Sequence, residues 1–325
     1  MAASVPLSRP PRTPLVAPSQ IECHVADFTA TFAADLTLAA AQEKLAEHDQ
    51  WLPIDGDPAQ TLDHLVSHNS TGPLRLGFGA WRDLLLGCQF RAGSDDLITA
   101  GGRTVKNVAG YDLTKFIVGQ RSIFAQLVTM TTRVYKRPPL TLQAEFSPDE
   151  TLVGKLLATP LRPRWAILTQ NSLQLGWLDD EPAIALVERL LPAHTPRSVQ
   201  RKTLAEDIAE RARRWAVTGD YLRAAVPPME VARFARLAKL QNWAADPAFG
   251  IVLAPIAAAD AERIFRIAAD TGGSAVCTID GQLRYHPTAG EALLLNQLKK
   301  AFDAESKLAA LPTLEPLPLV PVRPR

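Results

Sequence analysis

The sequence predicts a two-lobed α+β protein. Its 325 residues, 47% of them hydrophobic, are enough for two cores, since a domain commonly has roughly 100–200 residues. Apolar residues recur with period two in some segments and with helical spacing in others, which indicates both strands and helices. Lys136-Arg137-Pro138-Pro139 separates a first lobe, residues 21–139, from a second lobe, residues 140–290.

Proline-rich segments lie near both ends of the chain. Residues 6–20 read PLSRPPRTPLVAPSQ, and the last residues read PTLEPLPLVPVRPR. Proline lacks a backbone donor and blocks both helices and central strands. We therefore expect residues 1–20 to form a flexible tail. Residues 291–325 should hold one amphipathic helix, EALLLNQLKKAFDA, followed by a second tail.

The first lobe begins with alternating residues typical of paired strands. IECHVADFTATFAADLT predicts a hairpin that turns at Ala26-Asp27. Helical spacing then appears in LTLAAAQEKLAEHDQWL and again around LDHLV. CQFRAGSDDLITAGG predicts a second hairpin, and IFAQLVTMTTRVY predicts the last strand of this lobe.

The second lobe alternates single strands with helices, which favours an antiparallel or mixed sheet with helices packed on one face. The predicted strands are TLQAEF, RWAILT, SLQLGWL, YLRAAV, FGIVLA and SAVCTI. Helices are predicted near 148–158, 181–191, EDIAERARRW, 229–241 and 258–270.

Composition disfavours several classes of protein. The 35 basic and 34 acidic side chains give a formal charge of +1, too small to attract nucleic acid or an anionic membrane. Cys23, Cys88 and Cys277 are odd in number and lack paired spacing, which fits a reducing compartment. No apolar run reaches the roughly 20 residues that span a bilayer, and no signal peptide is apparent. We expect a cytoplasmic protein that does not span a membrane.

The most distinctive segment is TVKNVAGYDLTKFIVG, which joins a glycine turn to a short helix. Asp112 can cap the start of this helix, and Gly119 can end it. Free N–H groups at such a turn favour a phosphate or an electron-rich ring oxygen. In the alternative interpretation, Asn107 and Asp112 bond only to the neighbouring backbone. The residues alone leave both interpretations open.

Other candidate motifs give weaker evidence for a metal site or a catalytic site. His64 and His68 stand four residues apart, a spacing that could place both on one helix face for a metal, but no third ligand is suggested nearby. We predict no metal site. No GxSxG-like elbow or activated cysteine is present, so hydrolase chemistry is disfavoured. The sequence does not identify a catalytic base.

Four segments in order resemble a known family. These are FTATFAADLTLAAAQEKLAEHDQWLPID, TLDHLVSHNSTGP, WRDLLLG and GGRTVKNVAGYDLTKFIVG. Together they resemble the PCMH-type flavin domain of the FAD-linked oxidases related to vanillyl-alcohol oxidase, and within them the FAD-binding subunits of glycolate oxidases. The resemblance covers Ile21 to Pro139. It implies a truncated PCMH-type FAD-binding domain followed by an α+β cap domain.

The resemblance also implies a function. FAD would accept a hydride from the α-carbon of a 2-hydroxy acid, and the chain would be the FAD-binding subunit of a glycolate-type oxidase. Its partners would be a catalytic flavoprotein subunit and an iron–sulfur subunit. The matching positions for FAD contacts are Asn107, Gly110, Tyr111, Asp112 and Gly119, with Gly72, Pro73 and Arg82 on the ring side.

Several family features have no counterpart in the sequence. The family's phosphate-binding loop would precede Ile21, Asp63-His64 replaces a Gly-Gly step, and only Gly119 remains of a glycine-rich strand end. The family's Asn-Pro-Gly motif is also not found. Since each charge-assisted hydrogen bond contributes roughly 1.5–3 kcal/mol, these losses predict weak or absent FAD binding. Two alternatives therefore stay open: a flavin-free docking subunit of such a complex, and an unrelated small-molecule-binding protein.

Overall fold

The computed structural model describes residue 17 and residues 20–102, 113–285 and 289–311. It contains two large sheets, each covered by helices. All named strand pairs within these residues are antiparallel. The predicted α+β class is confirmed. Of the two predicted alternatives for the second sheet, mixed or antiparallel, the structure shows the antiparallel one.

The first lobe is built on a five-stranded sheet in the order β1-β2-β6-β4-β5. A separate pair, β3 with β7, lies beside it. The strands are β1 (Ile21–His24), β2 (Thr29–Ala33), β3 (Gln50–Trp51), β4 (Leu85–Arg91), β5 (Leu97–Gly101), β6 (Gln126–Arg133) and β7 (Tyr135–Lys136). The helices are α1 (Leu38–Ala46), α2 (Leu62–Ser67), α3 (Arg75–Phe78), α4 (Trp81–Leu84) and α5 (Leu113–Ile117).

Local sequence explains where these helices begin and end. The Thr37 hydroxyl accepts a hydrogen bond from Ala40 N and caps α1, and the Thr61 hydroxyl caps α2 in the same way. Gly119 follows α5 with a φ of +87°, a conformation that glycine adopts without steric cost. The predicted helix stop at Gly119 is confirmed.

The second lobe is built on a nine-stranded sheet in the order β11-β8-β10-β9-β13-β14-β12-β15-β16. Its strands are β8 (Leu140–Phe146), β9 (Trp165–Leu168), β10 (Leu173–Asp179), β11 (Ser198–Lys202), β12 (Tyr221–Ala225), β13 (Ala244–Asp246), β14 (Ile251–Pro255), β15 (Ser274–Ile279) and β16 (Gln282–Arg284). The remaining helices are α6 (Leu152–Leu157), α7 (Glu181–Leu190), α8 (Leu204–Trp215), α9 (Val231–Leu237), α10 (Ala261–Asp270) and α11 (Ala289–Phe302). Strands β11, β13 and β16, not predicted, have three to five residues each and little alternating pattern.

Helices cover both faces of the nine-stranded sheet, whereas the sequence favoured one face. The main core lies on the face beneath α6, α7, α9 and α10. Helix α8 lies on the opposite face, where Leu204 packs in a smaller cluster with Trp165. Trp51 and Leu74 of the first lobe join that cluster. The second face of the sheet is therefore the surface on which the two lobes meet.

The last described helix, α11, returns to the first lobe. The Phe302 ring stacks on Phe116 with 5.0 Å between centroids, and Phe302 O accepts a 2.8 Å hydrogen bond from Gly93 N. Lys299 Nζ donates to Ile123 O at 2.9 Å. Among the residues described here, no helix is long and apolar enough to cross a bilayer.

A buried ionic network joins the two lobes. Arg211, on α8, is 1% exposed, and its Nε donates to Asp55 Oδ1 of the first lobe at 2.8 Å. The same guanidinium contacts the Asp207 carboxylate one helical turn earlier. Asp207 also accepts from Gln143 Nε2 at 2.8 Å and from Trp165 Nε1 at 3.1 Å. The Arg211 charge is therefore paired on both sides, as burial demands.

We expect Asp55→Ala to lower the free energy of unfolding by about 3–5 kcal/mol, because Arg211 loses its interlobe partner while staying buried. Urea denaturation followed by tryptophan fluorescence measures this change. Glu210→Ala on the same helix is the matched control. Glu210 pairs with Arg213 and Arg214 near the surface, so its loss should cost less than about 1 kcal/mol. Equal losses in the two variants would show that the interlobe pair adds nothing.

Candidate functional site

Strand β12 directs two polar side chains towards the first lobe. Leu222 and Ala224 lie in the core beneath the helices. Because side chains alternate along a strand, Tyr221 and Arg223 project from the opposite face. That face is the one on which the lobes meet. A half-buried arginine therefore lies on a central strand at the lobe boundary.

The first lobe contributes Arg75 from α3. Its guanidinium lies 4.2 Å from the centroid of the Phe249 ring, in a cation–π contact with the second lobe. Helix α3 approaches β9 closely, since a Cβ on Gly77 would lie 2.8 Å from Arg164 Cα. Glycine at this position therefore lets α3 carry Arg75 up to the second sheet.

Arg121 is held by the loop that follows α5. Arg121 N donates to Ser67 O at 2.7 Å, and Gly119 N donates to Val66 O at 3.0 Å. These bonds tie the loop to the last turn of α2. Arg121 itself has a φ of +54°, an uncommon conformation for a side chain of this size. The backbone thus fixes the position of Arg121 tightly.

Arg75, Arg121 and Arg223 form what we call the interlobe arginine cluster. Burial lowers the pKa of Arg223, and the charges of Arg75 and Arg121 lower it further. Burial also lowers the pKa of Arg121, against the opposing influence of Tyr221. None of the three makes an ion pair with a residue that the structure describes. Since guanidinium groups stay charged and bind carboxylates in a bidentate manner, the cluster is suited to an anion.

Asp246 is the carboxyl group beside Arg75. It is 1% exposed, and its Oδ1 accepts hydrogen bonds from Ala248 N at 3.0 Å and Phe249 N at 3.4 Å. Burial raises the pKa of Asp246 to about 7, although Arg75 opposes the shift. Its carboxyl group shapes the loop that carries Phe249, and it holds only part of a negative charge at neutral pH.

His64 lies on α2, and His68 directly follows the helix as its C-cap; both are close enough to Arg121 to feel its charge. Their rings stack with 3.9 Å between centroids, and His68 Nδ1 lies 2.9 Å from His64 O. Burial, followed by the charge of His64, lowers the pKa of His68 to about 4. Burial and then Arg121 also lower the pKa of His64. Both rings are therefore neutral at pH 7. In the described ranges, no group of three or more His, Cys, Asp or Glu side chains could hold a metal ion.

Two buried oxygens near α2 lack hydrogen-bond partners among the residues described. They are Oδ1 of Asp63 and Oδ1 of Asn69. A Cβ on Gly119 would lie 3.4 Å from Asn69 Cβ, so this loop and Asn69 are neighbours. Burial raises the pKa of Asp63 to about 6, while a hydrogen bond from the backbone of Leu127 opposes the shift. Unpaired buried acceptors cost free energy unless a ligand supplies a donor.

Of the eight site residues predicted from the sequence, the structure describes four, and these four lie at three different places. Asn107, Gly110, Tyr111 and Asp112 lie outside the described residues. Gly119 lies beside Arg121 in the loop that is tied to α2. Gly72 and Pro73 are buried against the ionic network, since a Cβ on Gly72 would lie 2.4 Å from Asp55 Cβ. Arg82 is exposed on α4, and its carbonyl oxygen accepts a hydrogen bond from Lys115 Nζ.

The interlobe arginine cluster, Tyr221 and Asp246 were not predicted from the sequence. One signal was present in YLRAAV, where an arginine occupies an alternate position of an otherwise apolar strand. A charged residue at such a position indicates that this face of the strand does not pack into an entirely apolar core. Arg75 and Arg121 lie in short irregular segments, where periodicity carries no information.

No family model matches the chain, but curated proteins do. It is 29% identical to the glycolate oxidase subunit GlcE of Escherichia coli (strain K12) over 164 residues, which are 48% of this chain and 46% of that protein. It is 25% identical to the mitochondrial D-lactate dehydrogenase [cytochrome] of Arabidopsis thaliana over 115 residues, 35% of this chain and 20% of that protein. An uncharacterized FAD-linked oxidoreductase of Mycobacterium tuberculosis is 27% identical over 189 residues, 54% of this chain and 40% of that protein.

The chain therefore aligns with less than half the length of these relatives. Among solved structures, an alkyldihydroxyacetonephosphate synthase has a similar fold, with a TM-score of 0.60 at 11% identity. That likeness covers 86% of this chain and 64% of the synthase. Similarity at this level of identity concerns the fold alone. The relatives confirm the family resemblance found in the sequence.

Asp63→Asn should change how stability depends on pH. The folded-state pKa of Asp63, about 6, exceeds its ordinary value of 3.8. Between these values the folded chain keeps a proton that the unfolded chain has lost, so this group's stabilising contribution falls as pH rises. The variant should therefore gain stability over the parent as pH rises from about 4 to about 6, by up to roughly 3 kcal/mol.

Urea denaturation of both proteins at several pH values measures this difference. His68 also makes the free energy of unfolding depend on pH, with the opposite sign, since its folded-state pKa is lowered. Because His68 is present in both proteins, its contribution cancels in the difference between them. Asp57→Asn on the preceding exposed turn is the control and should show no such gain. A difference between parent and Asp63→Asn that is constant with pH would contradict the raised pKa of Asp63.

Proposed function

We infer that this chain, a member of the FAD-linked oxidases, forms the FAD-binding part of an oxidoreductase that acts on a 2-hydroxy acid. The interlobe arginine cluster carries this inference, because it places three cations, without an ion pair among the described residues, on elements that face the boundary between the lobes. A 2-hydroxy acid offers the carboxylate that such cations bind. Two relatives support this substrate class by their names, glycolate oxidase subunit GlcE and D-lactate dehydrogenase [cytochrome], because glycolate and lactate are 2-hydroxy acids.

The residues around α2 fit the ring portion of FAD. A flavin ring carries an N–H donor, and the Oδ1 atoms of Asp63 and Asn69 are buried acceptors without a described partner. Gly119 beside Asn69 leaves the approach to the backbone open. We propose that Gly119 contacts FAD together with Asn107, Gly110, Tyr111 and Asp112. We propose Gly72, Pro73 and Arg82 for the ring side of FAD; burial against Asp55 also gives Gly72 a structural role.

When bound, FAD would supply the acceptor for the hydride that leaves the α-carbon. The chain's own residues would position the substrate. The interlobe arginine cluster would hold the carboxylate and orient the α-carbon, and burial between the lobes would exclude water. His64 is neutral at pH 7 and lies within the electrostatic influence of Arg121. We propose that His64 takes the hydroxyl proton as the substrate is oxidised.

The wider assembly belongs to the same proposal. A glycolate-oxidase-like complex would add a catalytic flavoprotein subunit and an iron–sulfur subunit, in the cytoplasm. The flavin-free docking subunit is a second candidate, favoured by Asp63-His64 at the position of the family's Gly-Gly step. These two side chains add bulk where a flavin-binding backbone would otherwise approach the ring.

An absorbance spectrum tests flavin binding directly. We expect the purified chain, alone or co-expressed with its partner subunits, to be yellow and to show the visible absorbance of oxidised FAD. Asn107→Ala should weaken FAD binding by about tenfold or more, since it removes a hydrogen bond to the cofactor. Asn171→Ala, in an exposed loop of the second lobe, is the control and should keep the parent affinity. Colourless protein in both preparations would reject FAD binding and favour the docking subunit.

A further inference from the structure

We propose that the second lobe holds a binding site for a small zwitterion, a molecule with an ammonium and a carboxylate at opposite ends of an apolar body. The site is a cavity of about 840 Å³ between α9, the segment before α6 and the turn that follows β9. Pockets of this size commonly bind small molecules. The cavity lies beside the core beneath α6 and α9, on the sheet face opposite the one where the lobes meet. The proposal therefore goes beyond the proposed function and does not depend on it.

The floor of the cavity is apolar. It is formed by Leu168 of β9, Ala235 of α9, and Leu240 and Trp243 after α9. All four side chains are buried and belong to the main core of the second lobe. A ligand that covers this floor with hydrocarbon removes apolar surface from water, which is favourable. The middle of the cavity therefore favours an apolar ligand body.

One side of α9 forms the wall that separates the charges. The residues of this wall are Ala232, Ala235, Arg236 and, just past the helix end, Lys239. Their spacing of three and four residues places them on one side of the helix. At the start of the wall, Ala232 N donates to Glu150 Oε2 at 3.1 Å. Arg236 follows Ala232 by one turn and Lys239 by two, which is about 6 and about 10 Å along the helix axis. The acidic and basic groups therefore lie at different ends of the cavity.

The acidic end consists of Asp149 and Glu150. Asp149 Oδ1 accepts hydrogen bonds from Thr151 N at 2.8 Å and from Thr151 Oγ1 at 2.7 Å. The bond from the hydroxyl lowers the pKa of Asp149, so this carboxylate is ionised at neutral pH. Glu150 uses only Oε2 in its bond to the backbone, and its Oε1 accepts no hydrogen bond from the residues that the structure describes. A ligand ammonium can therefore bind Glu150 Oε1 in the field of both carboxylates.

The basic end consists of Arg236 and Lys239. Within the described ranges, neither forms an ion pair, although two carboxylates line the same cavity. Arg233 of the same helix does not line the cavity and pairs with Glu230 at 2.8 Å. A simple anion would leave the acidic end uncompensated, and a simple amine would leave the basic end uncompensated. Only a ligand with both charges complements both ends.

NMR titration of the purified, isotope-labelled full-length chain tests the proposal through the indole N–H signal of Trp243. The probe is 6-aminohexanoate, whose ammonium and carboxylate are joined by a straight hydrocarbon chain. Hexanoate and hexylamine each keep one of its two charges. We expect 6-aminohexanoate to bind at least about fivefold more tightly than either, because each charged end adds a charge-assisted contact. Equal affinity for hexanoate would reduce the cavity to an anion site and overturn the proposal.

A dipeptide distinguishes two sources of the same chemistry. Unblocked dileucine carries an ammonium and a carboxylate at the ends of an apolar body, as a straight-chain amino acid does. Tighter binding of dileucine than of 6-aminohexanoate would identify the ligand as a short apolar peptide, and the reverse would identify a straight-chain amino acid. Acetylated and amidated dileucine has neither charge and should bind at least about fivefold more weakly than the unblocked peptide. Equal binding of the two forms would contradict the proposal.

Variants assign each end of the ligand to its partner. Arg236→Gln should weaken 6-aminohexanoate binding by about fivefold and leave hexylamine binding unchanged. Glu150→Gln should have the converse effect, sparing hexanoate, and its amide oxygen can still accept the bond from Ala232 N. Arg233→Gln, on the same helix but outside the cavity, is the matched control and should leave every affinity unchanged. Unchanged 6-aminohexanoate binding in both cavity variants would overturn the proposal.

Discussion

The buried ion pairs of Arg211 constrain how the two lobes are arranged. Its partners are Asp207 within α8 and Asp55 from the first lobe. A guanidinium that is 1% exposed cannot lose either partner cheaply. Asp55 in turn accepts a 2.8 Å hydrogen bond from Leu74 N and leaves room only for glycine at Gly72. One buried charge thus fixes the start of α3 and the side of the sheet that faces the first lobe.

The same boundary also positions the three residues of the interlobe arginine cluster. Helix α3 begins directly after Leu74, so the pairing of Arg211 with Asp55 also positions Arg75. Arg223 reaches the same boundary from a central strand, and Arg121 reaches it from a loop tied to α2. The boundary therefore contains one arginine in buried ion pairs and three arginines for which the described residues provide no ion pair.

Sequence reasoning identified most of the regular elements because their signals are local. The hairpin around Ala26-Asp27, the helix at Leu38 and the stop at Gly119 each follow from residues within one or two turns. Strands β11 and β13 were missed because SVQRK is almost entirely polar and AAD has only three residues, so neither shows the apolar pattern of a strand. The placement of α8 was missed for another reason. Its core-facing side depends on Asp207 and Arg211, which a hydrophobic pattern assigns to solvent.

The sequence by itself determined the α+β class, the family resemblance and the helix caps, because each rests on residue type and spacing along the chain. Only the tertiary structure decided which of the described charged groups form ion pairs with one another. Asp55 and Arg211 are 156 positions apart, and the members of the interlobe arginine cluster come from both lobes. Whether two charged groups form an ion pair depends on their distance in space and on their burial, and local sequence determines neither.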